Sequence, residues 1–116
     1  MKKSPITTHI LDTTRGKPAQ GVPVFLEMET REGVWERLAQ GETNQEGRIM
    51  DLISYPFTLT KGRYQLIFDT KTYFEQEAFT VFYPHVIVTF DIQHPSQHYH
   101  IPLLLSPYGY STYRGS

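Results

Sequence analysis

His98-Tyr99-His100-Ile101-Pro102-Leu103-Leu104-Leu105-Ser106-Pro107-Tyr108-Gly109-Tyr110-Ser111-Thr112-Tyr113-Arg114-Gly115-Ser116 closes the chain and reads as extended structure almost to its last residue. A C-terminus is usually a frayed, solvated end. This one is dense: Ser106–Ser116 carries three tyrosines, an arginine and small residues before the terminal carboxylate. Such a composition suits a docked terminal strand that delivers a guanidinium and a carboxylate to a fixed place. The last long strand is expected from His98 to about Leu105, with the tyrosine-rich segment continuing it. In a strand, His98 and His100 share one face and Tyr99 takes the other.

Working outward, the same period-two pattern recurs. Val86, Val88, Phe90 and Ile92 alternate against Ile87, Thr89 and Asp91. Tyr64, Leu66 and Phe68 face one way within Gly62–Asp69. Val22, Val24, Leu26 and Met28 share a face, and Arg31-Glu32-Gly33 reads as a hairpin turn into a strand over Val34–Gln40. The first strand is expected over Ile6–Leu11 and ends in a Gly- and Pro-containing break, Asp12 to Pro18. A turn at Asn44-Gln45-Glu46-Gly47 precedes Arg48-Ile49-Met50. Thr70–Phe79 is the one helix candidate, with Thr70 or Thr72 as its cap and Glu75 and Glu77 favouring its early turns. Seven or eight alternating strands and one short helix predict an all-β chain. Each strand has one face to bury, so two antiparallel sheets should pack as a sandwich.

With 116 residues, the chain fits one domain, 1–116, with no linker or repeat dividing it. A chain of this size leaves roughly a third of its unfolded surface exposed, so oligomerisation is expected to suit it. The net charge is −1 with both signs interspersed, so no basic stripe points to nucleic acid. There is no cysteine, which removes disulfides, thiol nucleophiles and thiolate metal sites. Met1-Lys2-Lys3-Ser4-Pro5 begins like the charged region of a leader, but no apolar run follows it and no membrane-spanning stretch occurs. The resulting expectation is a cytoplasmic protein that engages neither membrane nor nucleic acid.

Thr8-His9-Ile10-Leu11-Asp12, Gly16-Lys17-Pro18-Ala19, Val22-Pro23-Val24 and Thr43-Asn44-Gln45-Glu46-Gly47-Arg48, together with the closing block, resemble the 5-hydroxyisourate hydrolases, the enzymatic relatives of transthyretin. The likeness runs the length of the chain. Ser106-Pro107-Tyr108 and Tyr110-Ser111-Thr112 are shared with the hormone carrier and argue for fold. The enzyme resemblance rests on His9, Arg48, His100 and the Tyr-Arg-Gly-Ser end. It implies a transthyretin-like two-sheet β-sandwich, assembled as a homotetramer (a dimer of dimers) with elongated pockets at the dimer–dimer interface. It also implies ring-opening hydrolysis of 5-hydroxyisourate to 2-oxo-4-hydroxy-4-carboxy-5-ureidoimidazoline, between urate and allantoin, with no cofactor and no metal.

The candidate residues are then few. A neutral imidazole can take a proton from water, and the resemblance makes His9 and His100 the catalytic histidines. Arg48 offers a planar fork of donors suited to the carbonyls and ring nitrogens of an oxidised purine. Tyr113, Arg114, Ser116 and His98 are expected to bind substrate or support the site; Arg114 could instead pin the tail to a carboxylate, and Ser116 could act through its terminal carboxylate. The His98/His100 spacing also suits zinc with His9 as a third ligand, but no thiolate and no family precedent support it. Two non-enzymatic alternatives are a small-molecule carrier like transthyretin, and a sandwich module for adhesion or protein binding. A polar pocket mouth built from His9, Arg48 and His100 would be costly for an apolar ligand.

Overall fold

The computed structural model describes residues 4–54 and 57–116; the basic opening Met1-Lys2-Lys3 lies outside the described residues. Along the chain come β1 (Ile6–Asp12), β2 (Lys17–Pro18), β3 (Pro23–Arg31), β4 (Val34–Glu42), β5 (Arg48–Ile49), β6 (Gly62–Phe68), α1 (Thr70–Gln76), β7 (Val86–Ile92), β8 (Tyr99–Ser106) and β9 (Gly109–Thr112). They form two sheets. One has the order β2-β1-β8-β9, with β5 also on β1; the other runs β4-β3-β6-β7. Every pairing is antiparallel except β1 with β8, which run parallel from Ile6 opposite Tyr99 to Asp12 opposite Leu105.

The alternation read from the sequence is what builds the core. Ile6 and Ile10 from β1, Val24 and Leu26 from β3, Tyr64, Leu66 and Phe68 from β6, and Leu103 and Leu105 from β8 are all buried between the sheets. Fully burying an aliphatic or aromatic side chain contributes about 1.5–3 kcal/mol, so these inward positions dominate the stability. The outward positions of β1 and β8 are then fixed by default: Thr7, His9 and Leu11 on one strand, His100, Pro102 and Leu104 on the other.

Three local features differ from the sequence expectation. The tyrosine-rich segment does not continue β8. Pro107 and Tyr108 form a tight turn, Ser106 Oγ donates to the Gly109 carbonyl at 3.1 Å, and β9 runs back along β8. Proline has no N–H to give to a continuing ladder, and its fixed φ suits a turn. The helix is capped by Asp69 rather than Thr70 or Thr72: its Oδ1 accepts from Thr72 N at 3.1 Å and its Oδ2 from Thr72 Oγ1 at 2.7 Å. A carboxylate one residue earlier reaches both donors. The helix also stops at Gln76, so Glu77 sits at its C-cap and not in an early turn. Its Tyr73 Oη donates to the buried Asp12 carboxylate at 2.6 Å, tying α1 to the end of β1. Burial first, and this bond second, push the Tyr73 phenol far above its ordinary pKa. Among the described residues, no helix is long and apolar enough to cross a membrane.

Candidate active site

Strand order converts sequence-distant residues into one surface. β5 lies on one side of β1 and β8 on the other. His9 pairs with Arg48 across one edge and with Pro102 across the other, while Thr7 pairs with His100. Beyond β8, Gly115 pairs with His100, its N–H donating to the His100 carbonyl at 2.8 Å. Arg48, His9 and His100 therefore occupy the outer face of one sheet. With strands ~4.8 Å apart and ~6.6 Å covered by two residues, the α-carbons of His9 and His100 lie about 8 Å apart on the diagonal.

The turn before β5 aims Arg48. Asn44 Oδ1 accepts from the backbone N–H of Glu46 at 2.9 Å and of Arg48 at 3.0 Å, and Gly47 N donates to the Asn44 carbonyl at 2.9 Å. Gly47 has φ +74°, and a β-carbon there would stand 2.5 Å from the Ile10 carbonyl oxygen. Only glycine lets this turn lie against β1. The same turn brings the Glu46 backbone and carboxylate close to His9. Burial, and then the positive charge of Arg48, lower the His9 pKa below its ordinary value; the Glu46 backbone bond and carboxylate oppose this more weakly. His9 is thus a neutral imidazole at pH 7, competent to accept a proton.

His100 and His98 converge on a single hydroxyl. Thr7 Oγ1 lies 2.8 Å from His100 Nδ1 and 3.0 Å from His98 Nε2, and the two rings stack with centroids 6.4 Å apart. The C-terminal tail closes over this end of the face. A β-carbon on Gly115 would meet His100 Cδ2 at 2.7 Å and Pro102 Cγ at 3.1 Å, so the tail backbone rests directly on the imidazole. Ser116 follows one residue beyond and is exposed.

Tyr113 and Arg114 are not brought to the histidines in the same way. Both border a groove of about 260 Å³ at the sandwich edge, with Val88, Phe90, Tyr99 and Ile101 among its walls. The Arg114 guanidinium sits 4.4 Å from the Tyr99 ring centroid and donates to Gln97 Oε1 at 2.9 Å and, more weakly, to the His98 carbonyl at 3.4 Å. Of the two uses expected for Arg114, its contacts match pinning the tail, through an amide, a carbonyl and a ring rather than a carboxylate. Among the described residues, no group of three or more His, Asp or Glu side chains is close enough to hold a metal ion. Thr7 and the packing role of Gly115 escaped the sequence reading. Period two already puts Thr7 on the face of His9, but nothing local says that β8 lies beside it.

Comparison with known proteins agrees with the two-sheet fold. A 5-hydroxyisourate hydrolase from Salmonella dublin is 48% identical over 111 residues, covering 96% of this chain and 80% of that protein. The crystal structure of sea bream transthyretin in complex with thyroxine matches with a TM-score of 0.88 and 36% identity, covering 97% of this chain and 95% of the other. The structure of Klebsiella pneumoniae 5-hydroxyisourate hydrolase matches with a TM-score of 0.83 and 37% identity over the whole of both chains. A carrier and a hydrolase overlie this chain about equally well, so the fold alone does not choose between them. The family model covers residues 6–115, and the chain belongs to the HIUase/Transthyretin family.

Proposed function

We propose that this chain, acting as one transthyretin-like domain, hydrolyses 5-hydroxyisourate to 2-oxo-4-hydroxy-4-carboxy-5-ureidoimidazoline, with His9, Arg48 and His100 carrying the chemistry. The observation that carries the proposal is that a neutral His9, a cation with no carboxylate partner among the described residues and a second, hydroxyl-anchored imidazole share one sheet face. Near-half identity to a named hydrolase supports it. His9 and His100 hold and deprotonate a water, whose oxygen adds to the ring carbonyl carbon. Arg48 offsets the negative charge that develops on the carbonyl oxygen. The ring C–N bond then breaks, the nitrogen takes the proton back from imidazolium, and the former carbonyl carbon stays in the opened product as a carboxylic acid that releases its remaining proton to solvent. No cofactor enters this scheme. His98 supports His100, while Tyr113 and Ser116 line the approach and Arg114 holds the tail that bears them. A face this polar disfavours the apolar ligand of a carrier.

The active form is a homotetramer, a dimer of dimers with the outer faces of the β1–β8 sheets opposed across the dimer–dimer interface. The half-buried Leu11 and Leu104 flanking the histidines, and the exposed Ile87 and Tyr110 on the edge strands β7 and β9, support such packing. The test follows the ultraviolet decay of freshly generated 5-hydroxyisourate with wild type, His9→Ala and His100→Ala. Fast decay with wild type and near-spontaneous decay with both variants is the expected result. A folded, tetrameric wild type that does not accelerate decay would overturn the proposal.

A further inference from the structure

Thr7 is wholly buried, yet it lies on the outer face of β1, beneath the two closing histidines. Its hydroxyl is the common partner of His98 Nε2 and His100 Nδ1. A hydroxyl has one proton to donate and can accept from others. When both imidazoles are neutral, at most one of the two nitrogens can accept from Thr7, so the other must carry a proton and donate to it. The tautomers of His98 and His100 are therefore linked through one oxygen.

We infer that Thr7 is a positioning residue for His100: it accepts from Nδ1–H, donates its own proton to His98 Nε2, and so leaves His100 Nε2 with a lone pair. The inference rests on the hydrolase reading above, because a proton acceptor is what the reaction requires of His100. The opposite arrangement, with Thr7 donating to His100 Nδ1, puts the proton on Nε2 and removes the base. An isolated imidazole populates both tautomers, and any fraction in the wrong one is lost to catalysis. Second-layer partners that fix a histidine's tautomer elsewhere act by the same logic. His98 then has a definite task without touching substrate: it is the acceptor that directs the Thr7 proton away from His100.

The inference is checked on the whole protein, ¹⁵N-labelled at histidine, by nitrogen chemical shifts at a pH where both rings are neutral. Wild type is expected to show His100 protonated on Nδ1. Thr7→Val, nearly isosteric, and His98→Leu should each move the His100 proton toward Nε2 and lower kcat by roughly 10-fold with little change in KM. Thr7→Ser, which keeps the hydroxyl, should restore both the shifts and most of the rate. Finding His100 protonated on Nε2 in wild type overturns the inference, and so does a His100 tautomer indifferent to Thr7→Val. Because the nitrogen shifts are read without substrate, these outcomes are separable from any failure of wild type to hydrolyse 5-hydroxyisourate.

Discussion

The two outer faces of the sandwich handle charge in opposite ways. On the β4-β3-β6-β7 sheet, cations sit against carboxylates. Arg37 reaches Glu27 at 3.1 Å, Arg63 reaches Asp91 at 3.0 Å and Glu29 at 4.0 Å, and Gln65 donates to the other Glu27 oxygen at 2.9 Å. On the β1–β8 sheet, Arg48 stands beside His9 and, among the described residues, enters no ion pair. Both faces arise from the same alternation, and both are the outward side of a half-buried sheet. The difference lies in which side chains take the outward positions. Where carboxylates alternate with arginines, the electrostatics close on themselves and nothing is left for a ligand. Where the Arg48 guanidinium stands beside His9 and enters no ion pair among the described residues, its positive charge is left for a substrate to meet.

Losing an arginine should therefore mean different things on the two faces. The largest effect is expected from Arg48→Gln, which keeps some hydrogen-bonding capacity but removes the charge. Loss of one donor aimed at a developing oxyanion typically costs about 10²- to 10³-fold in kcat. Steady-state kinetics should show that loss, with a thermal unfolding midpoint close to wild type. A variant that keeps wild-type kcat would place the oxyanion elsewhere.

Gly115→Ala probes the same face by crowding. The new β-carbon would fall 2.7 Å from His100 Cδ2, so either the tail lifts or the imidazole turns. Small misplacements of a catalytic group are expensive, and a fall of about 10- to 100-fold in kcat is expected with the fold intact. An alanine variant with full activity, and a crystal structure showing the tail still docked, would remove the tail from the positioning scheme.

A smaller effect is expected on proton affinity. His9 should titrate below about 6.5, the ordinary histidine value. Burial is the larger cause, so Arg48→Gln should raise its pKa only part of the way back. The sign for stability follows. Below about 6.5 the unfolded chain binds this proton before the folded one does, so the stability tied to neutral His9 is lost as pH falls through its folded-state pKa. Proton NMR of the His9 ring checks both statements; a midpoint above the ordinary value would contradict the electrostatics of this face.

Much of this was legible from residue order alone, and the limits are physical. Alternation located the inward residues of β3, β6 and β7, because period two is a local property of each strand. It also put His98 and His100 on one face. It could not show that β1 runs parallel to β8, some ninety residues away, since strand pairing depends on the whole chain. Thr7, which means little beside Thr8 and His9 in sequence, becomes significant only through that pairing. The helix cap was missed because Asp69 and Thr70 are both good caps and only the geometry of the entering chain selects one. Arg114 stays open between substrate contact and pinning the tail on sequence alone, because residue order does not tell which side of an extended tail each residue takes.

The smallest effect belongs to the paired face, and it is the control that gives the others meaning. Arg37 is half exposed, holds Glu27 at 3.1 Å and lies over the Phe25 ring at 4.3 Å. Exposed ion pairs contribute between zero and about 1 kcal/mol, and a cation over an exposed ring adds a comparable amount. Arg37→Ala should thus lower the thermal midpoint by only a few degrees and weaken further with added salt screening in wild type. Its kcat and KM should be unchanged, because the two faces are separated by the full thickness of the core, about 10 Å between sheets. An activity loss there approaching that of Arg48→Gln would mean that charge acts on this reaction through the overall field of the protein, and that the position of Arg48 beside His9 has no special standing.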